Sequence, residues 1–261
     1  MAVVAVNARP DAATGYDRIA HLYDVDMARN MPFDDVGFYA RTLAQHGGPV
    51  LEVGCGNGRI LLELQGRGID IVGVDRSQPM LVELLRKALA RSVAPSIARA
   101  DARRLPFRDG RFQAVLCAYS LITYMRAVDD AAVLIDEIAR VLEPGGMLVL
   151  DAFVPRATAY SETFRVDYSR PCTSGTLTRS KRIRAAEPGV NRIERRYEIV
   201  RDGVAVETID TVEHIRPFTP DALRALVTGG AFAAAGEAWD YGASSDPSAA
   251  QFLTVVARKR R

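Results

Sequence analysis

The chain is short of the residues that build disulfide scaffolds, metal clusters and membrane spans. Its 261 residues hold three cysteines, Cys55, Cys117 and Cys172, odd in number and far apart. Neither a disulfide framework nor a Cys-ligated zinc cluster is expected from them, and a reducing, cytoplasmic setting is the default. The histidines are also three, His21, His46 and His214, and no His/Asp/Glu group has ligand spacing, so no metal is expected. No run approaches the ~18 apolar residues of a membrane helix. The opening MAVVAVNARPD has no basic leader, and its apolar stretch is too short for a signal sequence. Neither sign of charge dominates: 34 Lys+Arg against 32 Asp+Glu leave +2, which is no footprint of a dedicated nucleic-acid binder. What is there, 48% apolar and 25% charged residues, is ordinary for a globular chain that buries a real core.

The pattern along the chain changes three times. The stretch YDRIAHLYDVDM repeats Tyr16, Ile19, Tyr23 and Met27 at helical spacing, and DDVGFYARTLAQH is a second short helix stopped by Gly47-Gly48-Pro49. From Pro49, runs of strand type (VLEVG, IDIVGVD, SIARAD, FQAVLCAY, GMLVLDAFV) alternate with helical ones, which predicts βαβ units around a parallel sheet. After Pro155 the texture becomes near-alternating Thr, Arg, Val, Ile and Glu, with breaks at Pro188-Gly189 and Asp202-Gly203. Asp-Gly between alternating runs predicts a hairpin. Thr219-Pro220 then caps a helix, and AFAAAGEAWDY and QFLTVVARKR are two final strands. The expected architecture is α/β: a Rossmann-like, doubly wound, seven-stranded and mostly parallel sheet from residues 49–155 and 217–261. Cap helices fill residues 1–48, and an antiparallel β insert fills 156–216, after the fifth strand.

The most informative stretch is LEVGCGNGR, Leu51 to Arg59, where the first strand turns into the first helix. Gly54, Gly56 and Gly58 remove side chains, so the backbone can approach a ligand and take unusual dihedrals. The spacing is G-x-G-x-G and not the G-x-G-x-x-G of a dinucleotide site. Asp75 ends the second strand, 17 residues after Gly58, where a carboxylate can take both hydroxyls of a ribose. The pair of features reads as a site for an adenosine-containing ligand. The bland alternative is a Gly-rich turn beside a surface Asp.

These residues resemble the class I S-adenosylmethionine-dependent methyltransferases, of the bacterial small-molecule type, from Tyr16 to the C-terminus. LEVGCGNGR matches the family's first motif and VGVDRS its second. ARADARRLPF matches the third, FQAVLCAYSLITYM the fourth, and LEPGGMLVLDAF the strand that follows. The resemblance implies S-adenosyl-L-methionine as donor, with Asp75 on its ribose. It further implies Asp101 at the adenine amino group and the Ala102 backbone at its ring. Cys55 in the first motif, Arg76 beside Asp75, Arg103 beside Ala102, and Ala118 with Tyr119 after the fourth strand join the same expected set. The opening YDRIAHLYD matches the N-terminal cap helices of small-molecule enzymes, and the insert looks like the substrate cover of amino-sugar N-methyltransferases. Two departures stand out. Gln113 replaces a common Asp, and Tyr124 stands where amino-sugar enzymes carry a His.

Methyl transfer from a sulfonium is an in-line displacement that extinguishes a positive charge, so orientation and a dry site matter more than a strong acid or base. Tyr16 and Tyr23 are candidates to lie over the methionine end of the donor, with core packing as the plain alternative. Arg29 is a candidate for the donor carboxylate, Glu52 for its ammonium, and Met80 for packing on the adenosine. Tyr124 is the first candidate to orient an acceptor and His214 the second; either could instead be structural. The tyrosines and arginines of the cover suit a small, polar or anionic acceptor on N or O. RSKRIR, RIERR and the terminal RKRR raise an RNA methyltransferase as an alternative, but the interleaved glutamates and few aromatics disfavour nucleic acid. An NAD-dependent oxidoreductase and a non-catalytic ligand-binding module are the other rivals. The expected partner is a small-molecule acceptor, with no membrane; a homodimer is compatible with the sequence.

Overall fold

Strands buried on both faces read as unbroken apolar runs, because helices cover both sides of a parallel sheet. β1 (Val50–Val53) is buried at every position, and β4 (Phe112–Cys117) at all but one. The computed structural model describes residues 14–45, 47–156 and 159–261; the side chains of Arg29, Asn30 and Val128 lie outside the described residues. β2 (Ile71–Asp75), β3 (Ser96–Arg99), β5 (Leu142–Phe153), β10 (Phe232–Trp239) and β11 (Phe252–Lys259) complete a seven-stranded sheet in the order β10-β11-β5-β4-β1-β2-β3. β1 to β5 pair in parallel, and β11 runs antiparallel between β5 and β10.

The helices lie on both faces, as a doubly wound sheet requires. α6 (Val128–Val141) and α7 (Pro220–Thr228) pack Leu134, Ile138, Leu223 and Val227 against Leu51, Val115 and Leu150. α3 (Asp35–Leu43), α4 (Leu61–Gly66) and α5 (Gln78–Ala90) bring Tyr39, Leu43, Leu61 and Leu84 to the other face, on Val50, Leu116 and Val149. The Thr219 side chain accepts from the Ala222 N–H at 3.2 Å and so caps α7.

The insert is a separate four-stranded antiparallel sheet in the order β6 (Arg165–Cys172), β7 (Gly175–Glu187), β8 (Val190–Arg201), β9 (Val204–Ile215). The Asp-Gly turn joins β8 to β9 with both central residues left-handed, Asp202 at φ 51° and Gly203 at φ 77°. That is the type I′ geometry whose twist matches a hairpin. The expected first cap helix is broken into α1 (Gly15–Ile19), a 3₁₀ turn (Ala20–Leu22) and α2 (Tyr23–Asn30). Ile19 and Leu22 pack into a cluster with Tyr168, Leu177, Tyr197, Ile199 and Ile209 of the insert. The cap therefore divides: α1 and α2 pack with the insert, and α3 with the large sheet.

Candidate active site

At the carboxyl end of β1, the chain turns through Gly54, Gly56 and Gly58 with φ of 78°, 52° and 76°. L-residues resist this region. The three glycines differ in what lies beside them. A Cβ on Gly58 would sit 2.7 Å from Leu84 Cγ, so this glycine serves helix packing and not ligand approach. A Cβ on Gly54 would meet Leu121 at 3.0 Å, whereas at Gly56 the nearest atom is Met80 Cε at 3.9 Å. The open side of the loop is thus at Gly56. Asp75 holds the loop from the end of β2: one carboxylate oxygen accepts the Gly56 N–H at 2.8 Å, the other the Ser77 N–H at 2.8 Å. Burial pushes its pKa up and these two N–H groups pull it down. Each oxygen keeps a further lone pair for an incoming hydroxyl.

Beneath the loop lies a cavity of about 30 Å³ lined by Tyr23, Glu52, Gly54, Cys55, Gly56, Arg59, Ile60, Ala118 and Tyr119. Glu52 is buried and its Oε2 has no hydrogen-bond partner. Burial raises its pKa to about 8, against the opposing pull of Arg59. Arg59 makes a two-pronged ion pair with Asp35, at 3.0 and 2.6 Å. Its presence in the cavity was legible in the motif LEVGCGNGR but is absent from the expected set. α1 and α2 are lashed over the loop: Asn57 Nδ2 and Lys87 Nζ both donate to Asp24, each at 2.9 Å, and Ser77 Oγ donates to Asp17.

Next to this cavity is a larger one of about 420 Å³ between the sheets, sharing Tyr23 and Tyr119 with it. α1 and α2 contribute Tyr16, Tyr23 and Asp26, the segment after β4 contributes Tyr119, Ser120, Thr123 and Tyr124, and the insert contributes Arg179, Lys181, Asn191, Arg195 and Tyr197. The Tyr16 and Tyr124 hydroxyls meet at 2.7 Å, and their rings are edge-on at 5.7 Å. Burial pushes Tyr16 up and Tyr23 and Tyr124 well up from the ordinary phenol value, so these tyrosines keep their protons at neutral pH. Tyr119 and Ser120 both sit in the left-handed region, at φ 52° and 62°. Their N–H groups donate to the buried Asp151 carboxylate at 3.1 and 2.9 Å, and Tyr39 donates its hydroxyl to the same group. Asp151 thereby fixes the segment that separates the two cavities, and it was not among the expected site residues.

Several expected residues stand elsewhere. His214 on β9 pairs with Arg192 on β8. The cavity takes the odd-numbered residues of β8 and β9, and strand alternation puts His214 on the opposite face of the insert. It cannot orient an acceptor there. Asp101 is engaged by Arg103 through its backbone N–H at 2.9 Å and an ion pair at 2.7 Å, and Arg103 also reaches Asp130. Arg103 holds the Asp101 carboxyl below its usual range. Ala102 packs against the apolar core, Arg76 is exposed, and Met80 is buried beside Gly56. The Arg29 side chain and His46 lie outside the described residues. His21 is exposed, 3.4 Å from Glu207. The Gln113 side chain lies against Gly48, where it would clash with any added Cβ.

With this geometry in place, comparison with known proteins decides the class of the parallel-sheet layer. Residues 50–146 match the family model described as a methyltransferase domain. These residues form a methyltransferase domain. The chain is 38% identical over 124 residues to a protein named demethylmenaquinone methyltransferase from Thermus thermophilus, covering 46% of this chain and 54% of that one. The chain thus spans about half the length of the curated relatives it matches. Two solved structures extend the likeness to the cap and the insert. An S-adenosylmethionine-dependent methyltransferase from Clostridium acetobutylicum superposes with a TM-score of 0.78, at 14% identity, over 94% of this chain and 99% of that one. The sugar N-methyltransferase KedS8 from Streptoalloteichus sp. gives 0.72, at 22% identity, over 100% and 99%. At these identities the likeness establishes the fold alone: a Rossmann-like layer carrying a second, antiparallel sheet.

Proposed function

We propose that the protein is an S-adenosylmethionine-dependent methyltransferase that moves a methyl group to an N or O atom of a small molecule. The observation that carries the reading is the junction of two cavities at Tyr23 and Tyr119: a glycine-loop site on one side and a larger, open-mouthed chamber on the other. The donor supplies an activated methyl group on a positively charged sulfur. Asp75 offers its free lone pairs to the ribose hydroxyls, and the open side of Gly56 lets the backbone approach the adenosine. The partnerless Oε2 of Glu52 suits an ammonium, and the spare N–H groups of Arg59 suit a carboxylate, so the small cavity fits the methionine end.

On the acceptor side, protonated tyrosines donate and accept hydrogen bonds without acting as bases. The work of this chamber is to orient the acceptor and keep water out, which supplies up to about 7–11 kcal/mol in favourable cases. A neutral amine needs nothing more. A hydroxyl must arrive acidic enough to ionise. The chamber between α1, α2 and the insert favours a metabolite over a polynucleotide, since its volume of about 420 Å³ is of small-ligand size. Titration calorimetry with S-adenosylmethionine and with NAD tests the donor assignment. The reading expects binding of the first only; binding of NAD in its place would transfer the fold to the oxidoreductase class.

A further inference from the structure

The chamber lining carries more positive than negative charge, Arg156, Arg179, Lys181 and Arg195 against Asp26. β7 presents Arg179 and Lys181 to the chamber, and β8 presents Arg195. Two carboxylates answer them. Asp26 meets Arg179 at 2.7 Å, and Asp167 meets Arg179 at 2.9 Å and Lys181 at 3.2 Å. Arg195 makes no ion pair within 4.0 Å and no hydrogen bond among the described residues. Its electrostatic neighbours include Tyr197, Tyr16, Tyr124 and Asp26. Two further acids stand on the insert's inner face: Glu207 meets His21 at 3.4 Å, and Glu213 also feels Arg195 but lies beyond ion-pair distance and outside the lining.

The register makes this arrangement costly. Lys181 and Arg195 are direct cross-strand partners, and like charges opposite each other destabilise a sheet pair. A guanidinium cannot shed its proton to relieve the repulsion. A side chain kept in that position against stability is explained by something it binds. What a planar fork of N–H donors binds best is a carboxylate or a comparably delocalised oxyanion. Arg195 also stands within electrostatic reach of the Tyr16–Tyr124 pair, and Tyr16 packs edge-on against Tyr23 of the cavity junction at 5.9 Å, so an anion held there lies on the side of the point of transfer.

We propose that the acceptor carries an anionic oxygen group and that Arg195 is the residue that selects for it. This rests on the methyltransferase reading above, and the test separates the two. Wild-type protein is first titrated with S-adenosylhomocysteine. Absence of binding would remove the methyltransferase reading itself. The complex is then titrated with three ring probes: 4-hydroxybenzoate, 4-nitrophenol at pH 8, and the neutral 4-hydroxybenzamide. The first two distinguish a carboxylate from an ionised phenol as the source of charge. At least one anion is expected to bind about tenfold or more tightly than the amide. That preference is expected to vanish in Arg195→Gln, with S-adenosylhomocysteine affinity unchanged. It should survive in Arg196→Gln, whose side chain pairs with Asp210 on the opposite face. Arg195→Gln is also expected to melt at the wild-type temperature or above it, since a repulsion is relieved. Equal binding of anions and amide, a preference that survives Arg195→Gln, or a marked fall in melting temperature in that variant would each overturn the proposal.

Discussion

The two walls of the site are made of different atoms. On the parallel-sheet side, the backbone shapes the site: left-handed glycines form the loop, and single carboxylates stand at strand ends. On the insert side recognition belongs to side chains, and their aim depends on strand register. Arg179, Lys181 and Arg195 face the chamber, while Arg182, Arg184 and Arg192 turn outward and gather on Glu194 at 2.7, 2.8 and 3.2 Å. These arginines hold the Glu194 carboxyl down at about 2. One basic run in sequence is two unrelated surfaces in space. A backbone-built site tolerates little change in residue type at a few positions. A side-chain-built site can be retuned residue by residue while the sheet persists.

The comparison breaks most forcibly where a side chain on the insert wall is also its internal support. Asp26 is buried and accepts from the Tyr168 hydroxyl at 2.6 Å and from Arg179 at 2.7 Å. Asp26→Ala leaves Arg179 with Asp167 as a remaining carboxylate and takes the acceptor from the buried Tyr168 hydroxyl, so a stability loss of about 3 kcal/mol, the lower end for breaking a buried pair, is expected by urea titration. A loss below the error of the titration would show that Asp167 alone suffices.

On the backbone-built wall, Asp75→Ala is expected to weaken S-adenosylmethionine binding by about 1.5–3 kcal/mol, the range for charged hydrogen bonds. Gly56→Val adds backbone strain of about 1–3 kcal/mol and should remove measurable binding in calorimetry. If donor affinity were unchanged in either variant with the fold intact, the ribose and loop assignments would be wrong.

Glu52 gives a pH signature of smaller size. Its carboxyl titrates near 8 in the folded chain against an ordinary value of 4.5. The folded state therefore binds a proton that the unfolded state has released. This contribution to stability is complete below about 4.5 and is lost as pH rises through 8. An ammonium placed at Oε2 reverses the preference, so donor binding near pH 7 should release a proton. Calorimetry in two buffers of different ionisation heat reads that release directly, and Glu52→Gln should remove it. Binding with no net proton exchange in the wild type would place the ammonium elsewhere.

The smallest expected effect sharpens the contrast between walls. Tyr124→Phe removes one hydroxyl contact, worth about 1 kcal/mol. It should raise the KM for the acceptor or lower kcat while leaving donor affinity within error. Impaired donor binding with a normal acceptor step would put Tyr124 on the wrong side of the junction.

What the sequence disclosed follows the same division. Gly54, Gly56 and Asp75 are legible because close approach and positive φ admit few residue types, and the alternation of strands and helices is set by hydrophobic period. The hairpin at Asp202-Gly203 is legible for the same reason. Which face a residue of the insert takes is not. A one-residue change of register inverts every side chain, and the outer position of His214 and the inner position of Arg195 both follow from it. The break of the first cap helix at Ala20–Leu22 arises from packing on a sheet far away in sequence. Asp151 is invisible for a different reason: an acid inside an apolar strand gains its meaning only from the Tyr119 and Ser120 N–H groups that fold onto it.

The central claim is that a donor bound at the glycine loop passes its methyl group to a small molecule enclosed by the insert. It is tested most directly by incubating the protein with S-adenosylmethionine labelled in the methyl group and a bacterial extract separated into metabolite and RNA fractions. The account predicts label in the metabolite fraction, lost in Asp75→Ala and reduced in Tyr124→Phe. Label in the RNA fraction, or none in either fraction from protein that binds the donor, would contradict it.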